Sequence, residues 1–318
     1  MSTSSSHPSP THVSPVDVGR PAAGRRTHAG PALVLGASAL WGTTGTVANL
    51  APAGASPLAV GAATMGFGGL LTVAIAARRT LTVLRGGRAV LPYVLFGALG
   101  VVAYPLSFYT SMAWTGVAVG TVVSVGSAPM FAALLERLLD GVRLTRRWLA
   151  ATTAAAVGCA ALVFTGDGAA DTAGDDRVQA GVALGLLAGV GYAAYTYCAA
   201  RIIGQGHPSR GAMGALFGLA TLVLLPVFAV TGGQLAGSAR GVAVIAYLAL
   251  IPMCLAYVLF GAGLARVSAS TATTLSLFEP VVAAVLGVAV VGERLGAAAW
   301  AGIGLVVAGL FVLTVRRR

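Results

Sequence analysis

Ten apolar runs separated by short breaks fill the chain from residue 31 onward, at approximately 31–50, 57–76, 90–111, 115–136, 148–165, 179–200, 211–230, 241–262, 270–291 and 297–315. Each is close to the roughly 20 residues that carry a helix across the hydrocarbon core of a bilayer. Inside hydrocarbon every backbone donor and acceptor must be bonded within the protein, so only helices and closed barrels can cross. A barrel strand would alternate polar and apolar residues with period two. These runs do not alternate, so the expected fold class is an all-α integral membrane protein with ten transmembrane helices. Composition agrees: of 318 residues 57% are hydrophobic and 9% charged, against about 25% charged in an ordinary soluble domain. That is too little polar material to coat a soluble enzyme, a disordered chain or a nucleic-acid-binding domain.

The breaks carry turn formers or charge: APAGASP at 51–57, an Arg cluster at 78–88, DGVRLTRR at 140–147 and the acidic DGAADTAGDDR at 167–177. All 20 basic residues are Arg. With the N-terminus in the cytoplasm, 17 of the 20 fall on the inner side, leaving Arg177, Arg240 and Arg294 outside. That imbalance is the positive-inside signal, and it predicts a multi-pass protein of the cytoplasmic membrane with both termini cytoplasmic. The net charge of +11 therefore reads as topology, not as a nucleic-acid signature. Residues 1–28 form a Ser/Thr/Pro-rich tail expected to be a disordered cytoplasmic leader. It lacks the apolar segment of a signal peptide.

The second half resembles the first at an offset of 151 residues. Between 129–162 and 280–313, ten of 34 positions match without a gap, among them Pro129 with Pro280, Gly141 with Gly292, Arg143 with Arg294 and Gly158 with Gly309. Each copy, 31–165 and 178–315, holds five runs. Five is odd, so the second copy enters the membrane from the opposite side. This is the inverted repeat of many secondary transporters.

Several motifs join the repeat: Trp41-Gly42 in the first run, Pro129 in the fourth, Phe278-Glu279-Pro280 in the ninth, and Gly292-Glu293-Arg294-Leu295. With these the sequence resembles the EamA-like family of the drug/metabolite transporter superfamily, over nearly everything from Pro31 to Arg318. The resemblance implies export or import of small metabolites, amino acids or drugs. It also implies a central cavity lined by spans 1, 3, 4, 6, 8 and 9. The acidic residue usual after the span 4 glycine is absent; that position is Val142.

Of nine carboxylates, Glu279 alone lies near the middle of a run. A charge at bilayer centre costs roughly 2.5–3.5 kcal/mol on insertion scales, which is tolerated when the side chain faces a wet cavity, binds a proton or finds a partner. Glu279 is therefore the candidate for proton or substrate coupling, with a structural brace as the alternative. Pro129 and Pro280 are expected helix kinks that free the carbonyls of Val125 and Ser276. Trp41, Asn49, Tyr104, Tyr109, Ser124, Tyr192, Tyr195, Tyr257 and Ser276 are the remaining cavity candidates. Tyr192 and Tyr195 share a helical face. Trp114, Trp148 and Trp300 sit near run ends, as membrane-belt residues do.

Cys159, Cys198 and Cys254 lie in apolar runs without metal-ligand spacing, so no metal, disulfide or cofactor is expected. No Walker A loop or HExxH occurs, and all four histidines fall in the tail or a loop. An enzyme is disfavoured. The reading is a secondary active transporter, most simply an exporter working by alternating access. Its partners are the lipid bilayer, a small-molecule substrate and a proton; the oligomeric state is open. A non-transporting scaffold or channel is the alternative.

Overall fold

The computed structural model describes residues 29–164, 176–291 and 296–314. The N-terminal tail, most of the acidic segment 167–177, the motif at 292–295 and the terminal Arg run lie outside the described residues. All regular structure among the described residues is helical.

The chain begins with α1 (Ala29–Trp41) and α2 (Thr44–Ala48), which are separated by Gly42 and Thr43. Next come α3 (Pro57–Leu84), opened by a proline whose missing N–H costs nothing there, and α4 (Leu91–Thr115). Gly116 alone joins α4 to α5 (Val117–Asp140), at φ +87°, a conformation that side chains disfavour. Then follow α6 (Arg146–Phe164), α7 (Asp176–Gly204), α8 (Ser209–Thr231) and the short α9 (Gly233–Ala236). α10 (Ala239–Leu248) passes through a π-helical stretch, Ala249–Leu255, into α11 (Ala256–Leu264). Pro252 lies within that stretch, a usual setting for a local widening of the helix. α12 (Ala269–Leu275) is capped by Ser268, whose Oγ accepts the Thr271 N–H at 3.2 Å. A 3-10 turn, Ser276–Phe278, leads into α13 (Glu279–Leu286), and α14 (Ala297–Thr314) completes the array.

Among the described residues eight helices are long and apolar enough to cross a membrane. Two runs read from the sequence fall outside this set. The first is broken, because α1 stops after 13 residues. The other, α6, opens with Arg146 and Arg147 and is rich in Ala and Thr. The two matched prolines behave differently. α5 continues through Pro129 as one helix, whereas Pro280 is the second residue after the 3-10 turn.

The helices pair α3 with α8, α4 with α7, α1 with α11, α5 with α7 and α12, and α6 with α14. Small residues make the close approaches. A β-carbon at Gly100 would lie 2.7 Å from the Gly191 carbonyl oxygen, and one at Gly69 equally near that of Phe217. With little hydrophobic drive between helices in lipid, such close backbone contact is what holds them. Of the small-residue pairs in the sequence, Gly185 and Gly189 face α5, and Gly214 and Gly218 face α3. Met130, Leu222, Val230 and Phe311 are exposed, as lipid-facing side chains are. Trp114 and Trp300 are exposed as well, but Trp148 is buried and is no belt residue. The three cysteines are free and buried.

The contact of α6 with α14 has a particular form. A β-carbon on Gly158 would meet the Gly302 oxygen at 2.6 Å and the Val306 nitrogen at 2.8 Å. One on Gly309 would meet the Ala151 oxygen at 2.7 Å and the Ala155 nitrogen at 3.1 Å. Adding 151 to 158, 151 and 155 gives 309, 302 and 306, so each contact is the other's counterpart. The early part of α6 meets the late part of α14 and the reverse, which means the two helices run antiparallel.

Candidate functional site

The cavity lies where α1, α3, α4, α7, α13 and the α10–α11 stretch converge. Its lining is Trp41 and Thr44, Thr64 and Met65, Tyr104, Phe108 and Tyr109, Tyr192 and Tyr195, Pro252, Met253 and Tyr257, and Glu279. Seven of these thirteen side chains are aromatic. It holds about 40 Å³. That suffices for a few waters, each needing at least ~10–15 Å³. It is far below the roughly 300 Å³ at which pockets for drug-sized ligands begin. The lining side chains therefore leave little space between them.

The aromatic groups are held from behind. Trp41 ends α1, where Gly42 lets the chain turn close to α13: a β-carbon on Gly42 would stand 3.0 Å from the Glu279 carbonyl oxygen. From there the Trp41 Nε1–H donates to the Pro252 carbonyl at 2.7 Å, inside the π-helical stretch. Its ring lies 5.0 Å from Tyr257 and 5.2 Å from Phe260. Tyr192 and Tyr195 stack at 5.3 Å, three residues apart on α7. The Tyr192 hydroxyl donates to Ser276 Oγ at 2.7 Å, and Ser276 Oγ in turn donates to the Thr273 carbonyl. The Tyr195 and Tyr257 hydroxyls share a 2.6 Å hydrogen bond. Tyr104 and Phe108, one helical turn apart, stack at 5.3 Å. Ring pairs at these separations are attractive beyond the area they bury.

Glu279 begins α13 directly after the 3-10 turn. Among the described residues its carboxylate has neither a hydrogen-bond donor nor an ion-pair partner. Among the described residues no Arg or His lines the cavity.

Of the residues singled out in the sequence, Trp41, Tyr104, Tyr109, Tyr192, Tyr195, Tyr257 and Glu279 come together here. Ser276 stands one hydrogen bond behind the wall. Asn49 lies elsewhere, in a wider recess of about 270 Å³ bounded also by Pro52, Gly54 and Met112. Tyr109 borders both spaces. Ser124 lies outside the lining, because α5 meets α7 where the Ser124 carbonyl closes on Gly189, and its own side chain is fully buried. Among the described residues α3 contributes Thr64 and Met65 to the lining and α5 contributes none, unlike the expected set of spans. Phe108 was legible as the i+4 neighbour of Tyr104; Thr44, Thr64 and Met253 carried no such signal.

A second polar cluster was not anticipated. Glu136, near the end of α5, is 6% exposed and accepts hydrogen bonds from the Ser270 N–H at 3.3 Å and the Ser270 hydroxyl at 2.6 Å. One turn on, Asp140 pairs with Arg201 at 3.0 Å and accepts from the Tyr197 hydroxyl at 3.0 Å. These contacts tie the end of α5 to α7 and to the start of α12.

A family model described as the EamA-like transporter family matches the chain twice, over residues 28–164 and 179–315. A Bacillus subtilis (strain 168) protein named "Uncharacterized transporter YwfM" is 37% identical over 286 residues, spanning 90% of this chain and 93% of its own. A solved crystal structure superposes with a TM-score of 0.74 at 19% identity, covering 89% of this chain and 95% of that one, a likeness of fold alone.

Proposed function

This chain belongs to the EamA-like transporter family and is a multi-pass membrane transporter, and from that premise we propose a secondary active transporter, an exporter of small metabolites, amino acids or drugs across the cytoplasmic membrane. The observation that carries the proposal is the compact aromatic cavity at the junction of the two matched stretches, with the unpartnered Glu279 in its wall.

The architecture we infer is ten spans in two inverted halves, 31–165 and 178–315, behind a disordered cytoplasmic tail at 1–28, with both termini cytoplasmic. The ten-span count includes the broken α1–α2 segment and α6. The reciprocal contacts of Gly158 and Gly309 support the inversion. A two-fold axis that exchanges antiparallel helices lies across them, hence in the membrane plane. The helix pairing supports it too: exchanging the halves turns α4 on α7 into α11 on α1, and both pairings occur. The Arg distribution supports the orientation.

Alternating access then needs the cavity to open to one side at a time. Glu279 is the group we assign to coupling, because a carboxylate without a protein partner in a low-dielectric site stays stable by taking up a proton or an opposite charge. The test is initial flux in proteoliposomes with and without a pH gradient. Saturable, gradient-dependent flux that Glu279→Gln uncouples is the expected result. Unsaturable flux would indicate a channel, and no flux of any solute a scaffold. Wild-type gradient dependence in Glu279→Gln would remove Glu279 from coupling.

A further inference from the structure

We propose that the central cavity selects a monocationic organic amine with an apolar body and rejects carboxylate and phosphate ligands of similar size. This rests on the transporter reading above and narrows its substrate class.

The sign of charge comes first. The chain carries 20 Arg residues and a net charge of +11, yet among the described residues no basic side chain lines the cavity. Glu279 does, and no described residue neutralises it. An anion entering here would give up its hydration beside a carboxylate and meet no counter-charge, which is costly in a low-dielectric site. A cation meets the counter-charge that the protein itself withholds.

The rest of the lining favours the same ligand. Aromatic rings offer a cation their negative faces, and seven of the thirteen lining residues are aromatic. An anion needs hydrogen-bond donors instead, and several of them are already engaged. The Trp41 indole N–H is held by Pro252, the Tyr192 hydroxyl by Ser276 and the Thr64 hydroxyl by the Val60 carbonyl, and one of the Tyr195 and Tyr257 hydroxyls donates to the other. The further hydroxyls of Tyr104, Tyr109 and Thr44 carry no formal positive charge to offset an anion beside Glu279. The ammonium of a zwitterionic amino acid would be accommodated, but its carboxylate would meet no counter-charge. The ligand enters by parting the rings, since the space between them is small.

The experiment uses three radiolabelled ligands that share one phenyl ring and differ in charge: phenethylamine, phenylalanine and phenylacetate. Their binding to the purified full-length protein is measured by equilibrium dialysis at neutral pH, and their uptake into proteoliposomes in parallel. Phenethylamine is expected to bind about tenfold or more tighter than either of the others. Glu279→Gln is expected to abolish most of that preference. Should the variant not fold, the wild-type ordering decides, and Tyr104→Leu is expected to weaken phenethylamine about threefold or more. Equal or tighter binding of phenylalanine or phenylacetate, or no saturable binding of phenethylamine, overturns the proposal. Selective binding without uptake leaves the selectivity standing and overturns the transporter reading. Uptake of phenylalanine or phenylacetate but not phenethylamine does the reverse.

Discussion

The hydroxyl of Tyr192 donates to Ser276 Oγ across 2.7 Å, which fastens the cavity face of α7 to the first residue of the 3-10 turn that delivers Glu279. Both residues are buried, so neither finds water when the other is removed. Tyr192→Phe and Ser276→Ala should each cost about 1 kcal/mol, the net value of a buried neutral hydrogen bond. Because the two share one bond, the double variant should cost less than the sum, with a coupling of about 0.5 kcal/mol or more. Thermal denaturation of the four proteins in one detergent measures this. Strict additivity would mean that the bond does not hold the turn.

Ser270→Ala should destabilise the protein by roughly 1–3 kcal/mol, since it deprives the buried Glu136 carboxylate of its shorter hydrogen bond. Adding Glu136→Gln should recover part of the loss, because an amide is cheaper to leave under-bonded than a charge. Unfolding midpoints of the single and double variants decide it. A double variant less stable than Ser270→Ala would show that Glu136 serves something other than Ser270.

Gly158→Ala and Gly309→Ala should be equally harmful, at about 1–3 kcal/mol each from overpacking. Their added β-carbons would stand 2.6 Å and 2.7 Å from backbone oxygens of the facing helix. Gly304→Ala, where a β-carbon meets nothing within 4 Å, is the control and should be neutral or slightly stabilising. The comparison is read from melting temperatures. A large cost at one of the first two sites and none at the other would contradict their reciprocity.

Pro280→Ala restores a backbone donor that can bond the Ser276 carbonyl and continue α12 into α13. The variant should insert and fold, while initial transport rate falls as the 3-10 turn straightens and Glu279 shifts. Pro129→Ala, inside an already continuous helix, should matter less. Equal effects on rate would show that the turn does not depend on Pro280.

Much of the scaffold was legible because apolar run length is a strong constraint in lipid. Runs expected at 57–76 and 211–230 are α3 (Pro57–Leu84) and α8 (Ser209–Thr231). α3 is kinked at Ala76, whose backbone is non-helical (φ −117°, ψ 18°), at the end of the expected run, and a further helical piece that carries Arg78 and Arg79 follows. Of the interruptions, the one beside Pro280 was legible from the proline. The break at Gly42 and Thr43 was not: it lies where α13 packs against Gly42, more than 200 positions away. Ser124 and Asn49 have ordinary cavity chemistry, and only the packing of their helices keeps them out of the lining. Glu136 gives no signal in the sequence, because a carboxylate at a run end is ordinarily solvated and its Ser270 partner is 134 positions away.

The reciprocal contact of α6 and α14 has a use beyond architecture. If transport exchanges the shapes of the two halves, the contact of Gly158 with Gly302 becomes that of Gly309 with Ala151, which already exists with nearly the same spacing. Nothing there has to move. A spin label on each of these two helices would report one unchanging distance through the whole cycle, a built-in fiducial against which displacements elsewhere could be scaled. The tie of Glu136 to Ser270 has no such twin: the offset carries Glu136 to Gly287 and Ser270 back to Val119.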